Sequence, residues 1–166
     1  MIVTSSRNKI LLLKIALILS FSCIGSQKYT GMFGWRTTVQ KDWNLIEEMI
    51  LQPEEYYYGR ENLYFGENET IRWIYKFDQK LYFKPKFIVV LYSEINSPQP
   101  VEIDLRVVTP EFQEGYYFLR QSYPPLGIGK YILKIAKEEE QIPFDSVEFF
   151  VLEQKEIEQI SGPILF

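Results

Sequence analysis

In the second half of the chain apolar side chains recur at every other position, the spacing of a half-buried strand. Residues 71–77 (IRWIYKF) place Ile71, Trp73, Tyr75 and Phe77 on one face and Arg72 and Lys76 on the other. Residues 101–107 (VEIDLRV) repeat the pattern, which predicts Val101, Ile103, Leu105 and Val107 inward and Glu102, Asp104 and Arg106 outward. Residues 87–92 (FIVVLY) are apolar on both faces and read as a central strand covered on each side. YYFLR (116–120), KYILKIA (130–136) and DSVEFFVL (145–152) complete six predicted strands. Between them lie FKPK, NSPQP, TPEFQEG, YPPLGIG and EEEQIPF, each carrying Pro, Gly or a run of polar residues that interrupts a strand. Short strands at this spacing, with no helical period between them, predict an antiparallel β-sandwich. Its expected core is Trp73, Phe77, Val89, Leu91, Ile103, Leu105, Tyr131, Leu133, Phe149 and Val151.

The first 22 residues obey a different rule. MIVTSSRNK carries Arg7 and Lys9 and no acid, ILLLKIALILSF is apolar except for Lys14, and small residues follow. A basic start, a short apolar middle and a small-residue exit form the layout of an export signal. The apolar run is shorter than the ~20 residues that span a bilayer. A helical signal peptide over residues 1–22 is therefore expected. The exit holds the chain's only cysteine, Cys23.

Ser20, Phe21, Ser22 and Cys23 resemble the lipobox of bacterial lipoproteins in a relaxed form. Ser22 and Cys23 match it, whereas Ser20 replaces the usual Leu and Phe21 is bulky where a small residue is common. The resemblance covers residues 1–23. It implies cleavage before Cys23, a diacylglycerol on its sulfur, acylation of the new amino terminus, and residence in the bacterial cell envelope on a membrane. Two or more acyl chains make such an anchor stable, at about 0.8 kcal/mol per buried methylene.

Residues 23–67 read as a lipidated, aromatic-rich extension interrupted by glycines and proline. Asp42 is a suitable N-cap for one short helix with Trp43, Ile46, Met49 and Ile50 along one side, and Pro53 ends it. Trp35, Tyr56, Tyr57 and Tyr58 are the candidate binding aromatics, since aromatics left out of the core are favoured anchors at interfaces. The competing expectation is that they attach the extension to the sandwich. The main domain is placed at 68–153 and a C-terminal tail at 154–166.

Within residues 68–153, a strand after FKPK, a Gly-x-Tyr strand start at Gly129 to Tyr131, and a closing DSVEFFVL resemble the immunoglobulin-like sandwiches of bacterial envelope proteins. The Cys–Trp–Cys signature of antibody domains is absent. Tyr131 is expected as an ordinary core tyrosine, with a corner hydrogen bond as the alternative.

Composition narrows the chemistry. With one cysteine no internal disulfide forms, so the domain holds by its core. The chain has no histidine, which removes the commonest general base and metal ligand. Arg7, Lys9 and Lys14 lie in the signal and no acid does, which leaves 15 basic against 22 acidic residues, a balance unsuited to nucleic acid. The acids at 47–48, 54–55 and 138–140 fall in turns or on a helix face and read as solvated charge. No enzyme activity, no metal and no cofactor beyond the covalent lipid are expected. The predicted function is a non-catalytic, protein-binding or structural envelope module. Alternatives are a carbohydrate- or small-ligand-binding lipoprotein stacking its ligand on Trp35, Trp43 or Trp73, and a loop-based protease inhibitor.

Overall fold

A computed structural model describes residues 28–39, 52–59, 63–82, 85–95, 99–140 and 142–161. The signal, Cys23, Trp43 and the helix expected after Asp42 lie outside the described residues. The elements are β1 (Gly31–Val39), a 3-10 turn (Pro53–Glu55), β2 (Tyr57–Tyr58), β3 (Tyr64–Gly66), β4 (Glu69–Phe77), β5 (Phe87–Ser93), β6 (Val101–Val108), β7 (Glu111–Gln113), β8 (Tyr116–Tyr123), β9 (Gly129–Lys137), β10 (Pro143–Leu152) and α1 (Gln154–Ser161).

The strands form two five-stranded sheets, ordered β2-β1-β4-β8-β7 and β3-β10-β9-β5-β6. Every pairing is antiparallel except that of β3 with β10. The protein is thus mainly β, with a two-sheet, sandwich-like architecture. Among the described residues no helix is long and apolar enough to cross a membrane.

The core between the sheets is aromatic. At one end Trp35, Phe65 and Phe149 enclose one another at centroid distances of 5.4–5.6 Å, and Tyr131 stacks on Phe149 at 5.3 Å. At the other end Tyr29, Phe77, Phe87 and Phe144 form a second cluster. Each such pair adds about 0.5–1.5 kcal/mol beyond the apolar area it removes from water. Eight of the ten expected core residues are buried here: Trp73, Phe77, Val89, Leu91, Tyr131, Leu133, Phe149 and Val151.

Several expectations are corrected. The stretch 23–67, read as irregular, supplies three strands, and β1 is paired along its whole length with β4. Gly31 and Gly34 made that stretch look broken. At Gly34 the missing side chain has a packing role: a Cβ there would come within 2.8 Å of the Tyr58 ring and 2.9 Å of Ile74. Tyr56 and Tyr58 pack against the outer face of the first sheet, in a small cluster with Ile74 and Phe118. Ile74 of β4 is thereby covered on the outer face as well, and Arg72, expected outward in water, is 1% exposed. TPEFQEG, read as a break, contains β7. Glu114 and Gly115, both with positive φ, make the two-residue hairpin into β8 that such torsions favour. The segment 154–166, read as a tail, begins with α1.

The largest correction concerns β6. Ile103, Leu105 and Val107, expected inward, are exposed at about half their surface, and so is Val101. Strand β5, expected to be covered on both sides, buries Phe87, Val89 and Leu91 but leaves Ile88, Val90 and Tyr92 only half-buried on the same outer face.

Candidate binding surface

Period-two alternation sets which residues share a face but not which face meets the core. In β6 the choice is made at the open edge of the sandwich, where β6 is the last strand of its sheet. Its inward side chains are Asp104 and Arg106. Arg106 Nη1 donates to Gln121 Oε1 at 2.7 Å and to the Ser122 carbonyl at 3.4 Å, both on β8 of the facing sheet. Its guanidinium also lies 5.2 Å from the centroid of the buried Tyr123 ring. One arginine thus ties the two sheets together where, among the described residues, no further strand covers them, using the multiple donors and stacking face that suit Arg to such a position. Asp104 Oδ2 sits 2.7 Å from Arg106 Nε, in ionic contact but without hydrogen-bond alignment.

With the charged residues turned in, the apolar ones face water. Leu105 lies opposite Val90 and Val107 opposite Ile88 across the β5–β6 pair, so an apolar strip runs along the β5–β6 side of the outer face of this sheet. Lys134 of β9 borders it, with its ammonium 4.8 Å from the Tyr92 ring. A register shift between Leu91 and Tyr92 gives β6 one extra residue near Ile103 and separates Val101 from the strip. Contiguous exposed apolar surface of this kind marks interaction sites on folded proteins.

The sequence-predicted aromatics do not form such a surface. Trp35 is 2% exposed, in the core, and Tyr56 is buried against Ile74. Tyr58 is half-buried and its hydroxyl donates to the Pro53 carbonyl at 3.0 Å, while burial pushes its phenol up to about 12. Only Tyr57, 74% exposed, stands free in solvent. The competing expectation, that these rings attach the segment to the sandwich, fits three of the four. Of the tryptophans named for ligand stacking, Trp35 and Trp73 are both buried in the core.

The acidic clusters within the described residues lie in turns. Glu55 accepts from the Gln52 amide at 2.8 Å and from Arg36 at 3.0 Å, which lower its carboxyl below the usual range. Glu139 and Glu140 both bridge Lys137. The Glu114 carboxyl is raised by a hydrogen bond with Glu54 and by its charge, in full contact with solvent. Among the described residues no group of three or more metal-ligating side chains comes together. A shallow groove of about 340 Å³ opens between Phe77, Lys80 and Tyr116. No known family model matches the chain, and no curated protein sequence is significantly similar to it.

Proposed function

We propose that this protein is a lipid-anchored component of the bacterial cell envelope, held to a membrane at Cys23, and that its immunoglobulin-like sandwich binds another protein without catalysis. The observation that carries the binding role is the apolar strip of Leu105, Val107, Ile88 and Val90 on the outer face of the second sheet. Nothing in the core needs these residues exposed, and a monomer in water gains nothing from exposing them.

The immunoglobulin-like reading is supported by strand order. β1-β4-β8-β7 and β10-β9-β5-β6 follow the order A-B-E-D and G-F-C-C′ of that sandwich. It is supported again by Tyr131, which stands near the start of β9, the F position, and donates to the Gly127 carbonyl at 2.7 Å. That backward bond has the form of the tyrosine corner of these domains. The anchor rests on the lipobox-like residues Ser20 to Cys23.

Two measurements test the reading on the full chain in its native membrane. Mass spectrometry is expected to find a mature protein that begins at an acylated Cys23; an unmodified Met1 terminus excludes the anchor. A photo-crosslinking amino acid at Leu105 is expected to capture protein, whereas the same probe at the more exposed Tyr57 captures little. Equal capture at both sites removes the binding role from the strip.

A further inference from the structure

We infer that the protein at this surface is a second copy of the same chain, paired antiparallel along the β6 edge. This rests on the proposal that the strip binds protein, and it names the partner. The edge is eight residues long and is the terminal strand of its sheet, so among the described residues no strand lies along one side of its backbone. Open edges of this kind accept another strand unless something prevents it.

What prevents indiscriminate pairing is also what selects the partner. Inward-pointing charge at an edge is a barrier to foreign strands. Asp104 and Arg106 are such charges, and they are opposite in sign and two residues apart. When β6 meets its own copy with Leu105 facing Leu105, Asp104 of each chain stands opposite Arg106 of the other. Two complementary pairs form about the symmetry axis. On the outer face Leu105 then meets Leu105 with Val107 of each chain further along, so the two apolar strips join. Shifting the centre by one residue destroys this arrangement. It sets Asp104 against Asp104 in one direction and Arg106 against Arg106 in the other, and like charges directly opposed are destabilising. The sequence of β6 is therefore self-complementary in a single local register, as an isologous interface requires. The register shift near Ile103 closes the regular stretch on one side. The resulting dimer joins two five-stranded sheets into one of ten strands.

The test is the mass of the full chain in mild detergent by light scattering, as a function of concentration, with far-ultraviolet circular dichroism to show that each variant is folded. The wild type is expected to pass from one chain to two as concentration rises. Asp104→Arg places arginine opposite arginine twice and is expected to weaken self-association by roughly tenfold or more. The double swap Asp104→Arg with Arg106→Asp restores both pairs with their signs exchanged and is expected to recover the dimer. Because Arg106 also bridges the sheets, Leu105→Lys provides a second route: it lies at an exposed position, leaves the fold intact, and is expected to abolish the dimer. Oxidation of a Leu105→Cys chain is expected to yield a disulfide-linked homodimer absent from the parent chain, while a Val101→Cys chain yields none. A wild type that stays monomeric at every concentration overturns the inference, as does a double swap no better than Asp104→Arg alone. If the chain is monomeric but Leu105 photo-crosslinks to a different protein, the second copy is excluded and the protein-binding role stands; if neither occurs, both fall.

Discussion

Strands β4 and β6 are written in nearly the same alphabet, an apolar residue alternating with a charged or polar one, yet they occupy opposite environments. β4 lies third of five in its sheet, flanked by β1 and β8, with the second sheet on one face and Tyr56 and Tyr58 on the other. Every residue from Thr70 to Tyr75 is buried there, Arg72 included. β6 lies last in its sheet, and its apolar residues face water while its arginine faces the interior. The difference teaches that position in the sheet, rather than the strand's own pattern, sets the meaning of alternation. β4 is covered on both faces because other side chains pack over its outer face, whereas an edge strand can turn its charges inward because water reaches them around the rim.

The largest contrast follows from removing one apolar side chain from each strand. Trp73→Ala is expected to cost about 3–5 kcal/mol, because it empties space between the sheets. Leu105→Ala, at an exposed position, is expected to stay within about 0.5 kcal/mol in the monomer. Denaturant unfolding of both variants measures the gap, and comparable losses break the comparison.

The two arginines should respond with opposite signs. Arg72 is buried, and its Nε and Nη2 have no hydrogen-bond partner among the described residues. Arg72→Met removes an uncompensated buried charge while keeping volume, and is expected to raise stability by about 1–2 kcal/mol. Arg106→Met deletes the bridge to Gln121 and Ser122 and is expected to lower it by about 1–2 kcal/mol. Thermal melts at one pH decide both signs.

Smaller is the effect of Tyr131→Phe, which keeps the stacking on Phe149 and removes only the bond to the Gly127 carbonyl. A loss of about 1 kcal/mol is expected, seen as a drop of a few degrees in Tm.

The smallest effect at neutral pH lies in the phenols, and it grows only in alkali. Tyr75 donates to Asp145 at 2.7 Å, and burial together with that carboxylate raises its phenol well above the ordinary value of 10.0. Burial raises Tyr58 to about 12 and also lifts Tyr123. The folded state therefore holds these protons longer than the unfolded chain does. Stability should be unaffected by them below pH about 10 and fall as pH rises beyond it. Absorbance at alkaline pH should show a late group of phenols ionising together with unfolding.

Much of the second sheet was legible because its strands state their period without interruption. β9 and β10 bury Tyr131, Leu133, Phe149 and Val151 on the alternation read from sequence. β1 was not legible, because Gly31 and Gly34 read as breaks and their purpose lies in the residues packed over them. The candidate surface was the least legible part. Trp35 and Tyr56 sit in stretches with no clear period, and only the folded sheet shows that they are enclosed. The strip on β6 was visible as a strip, but its orientation depends on Gln121, Ser122 and Tyr123, residues of another sheet that no local pattern reports.

The parallel pairing of β3 with β10 also bears on the time course of folding. Tyr64 of β3 lies against Phe150 of β10, and the second sheet cannot be completed until nearly the last residue of the domain exists. Contacts so distant in sequence demand that a large loop be closed before they return any free energy, which places such sandwiches among slow folders, in milliseconds to seconds. During synthesis the early strands therefore emerge without the strand that would lock them, and the second sheet stays open until its far end has been made.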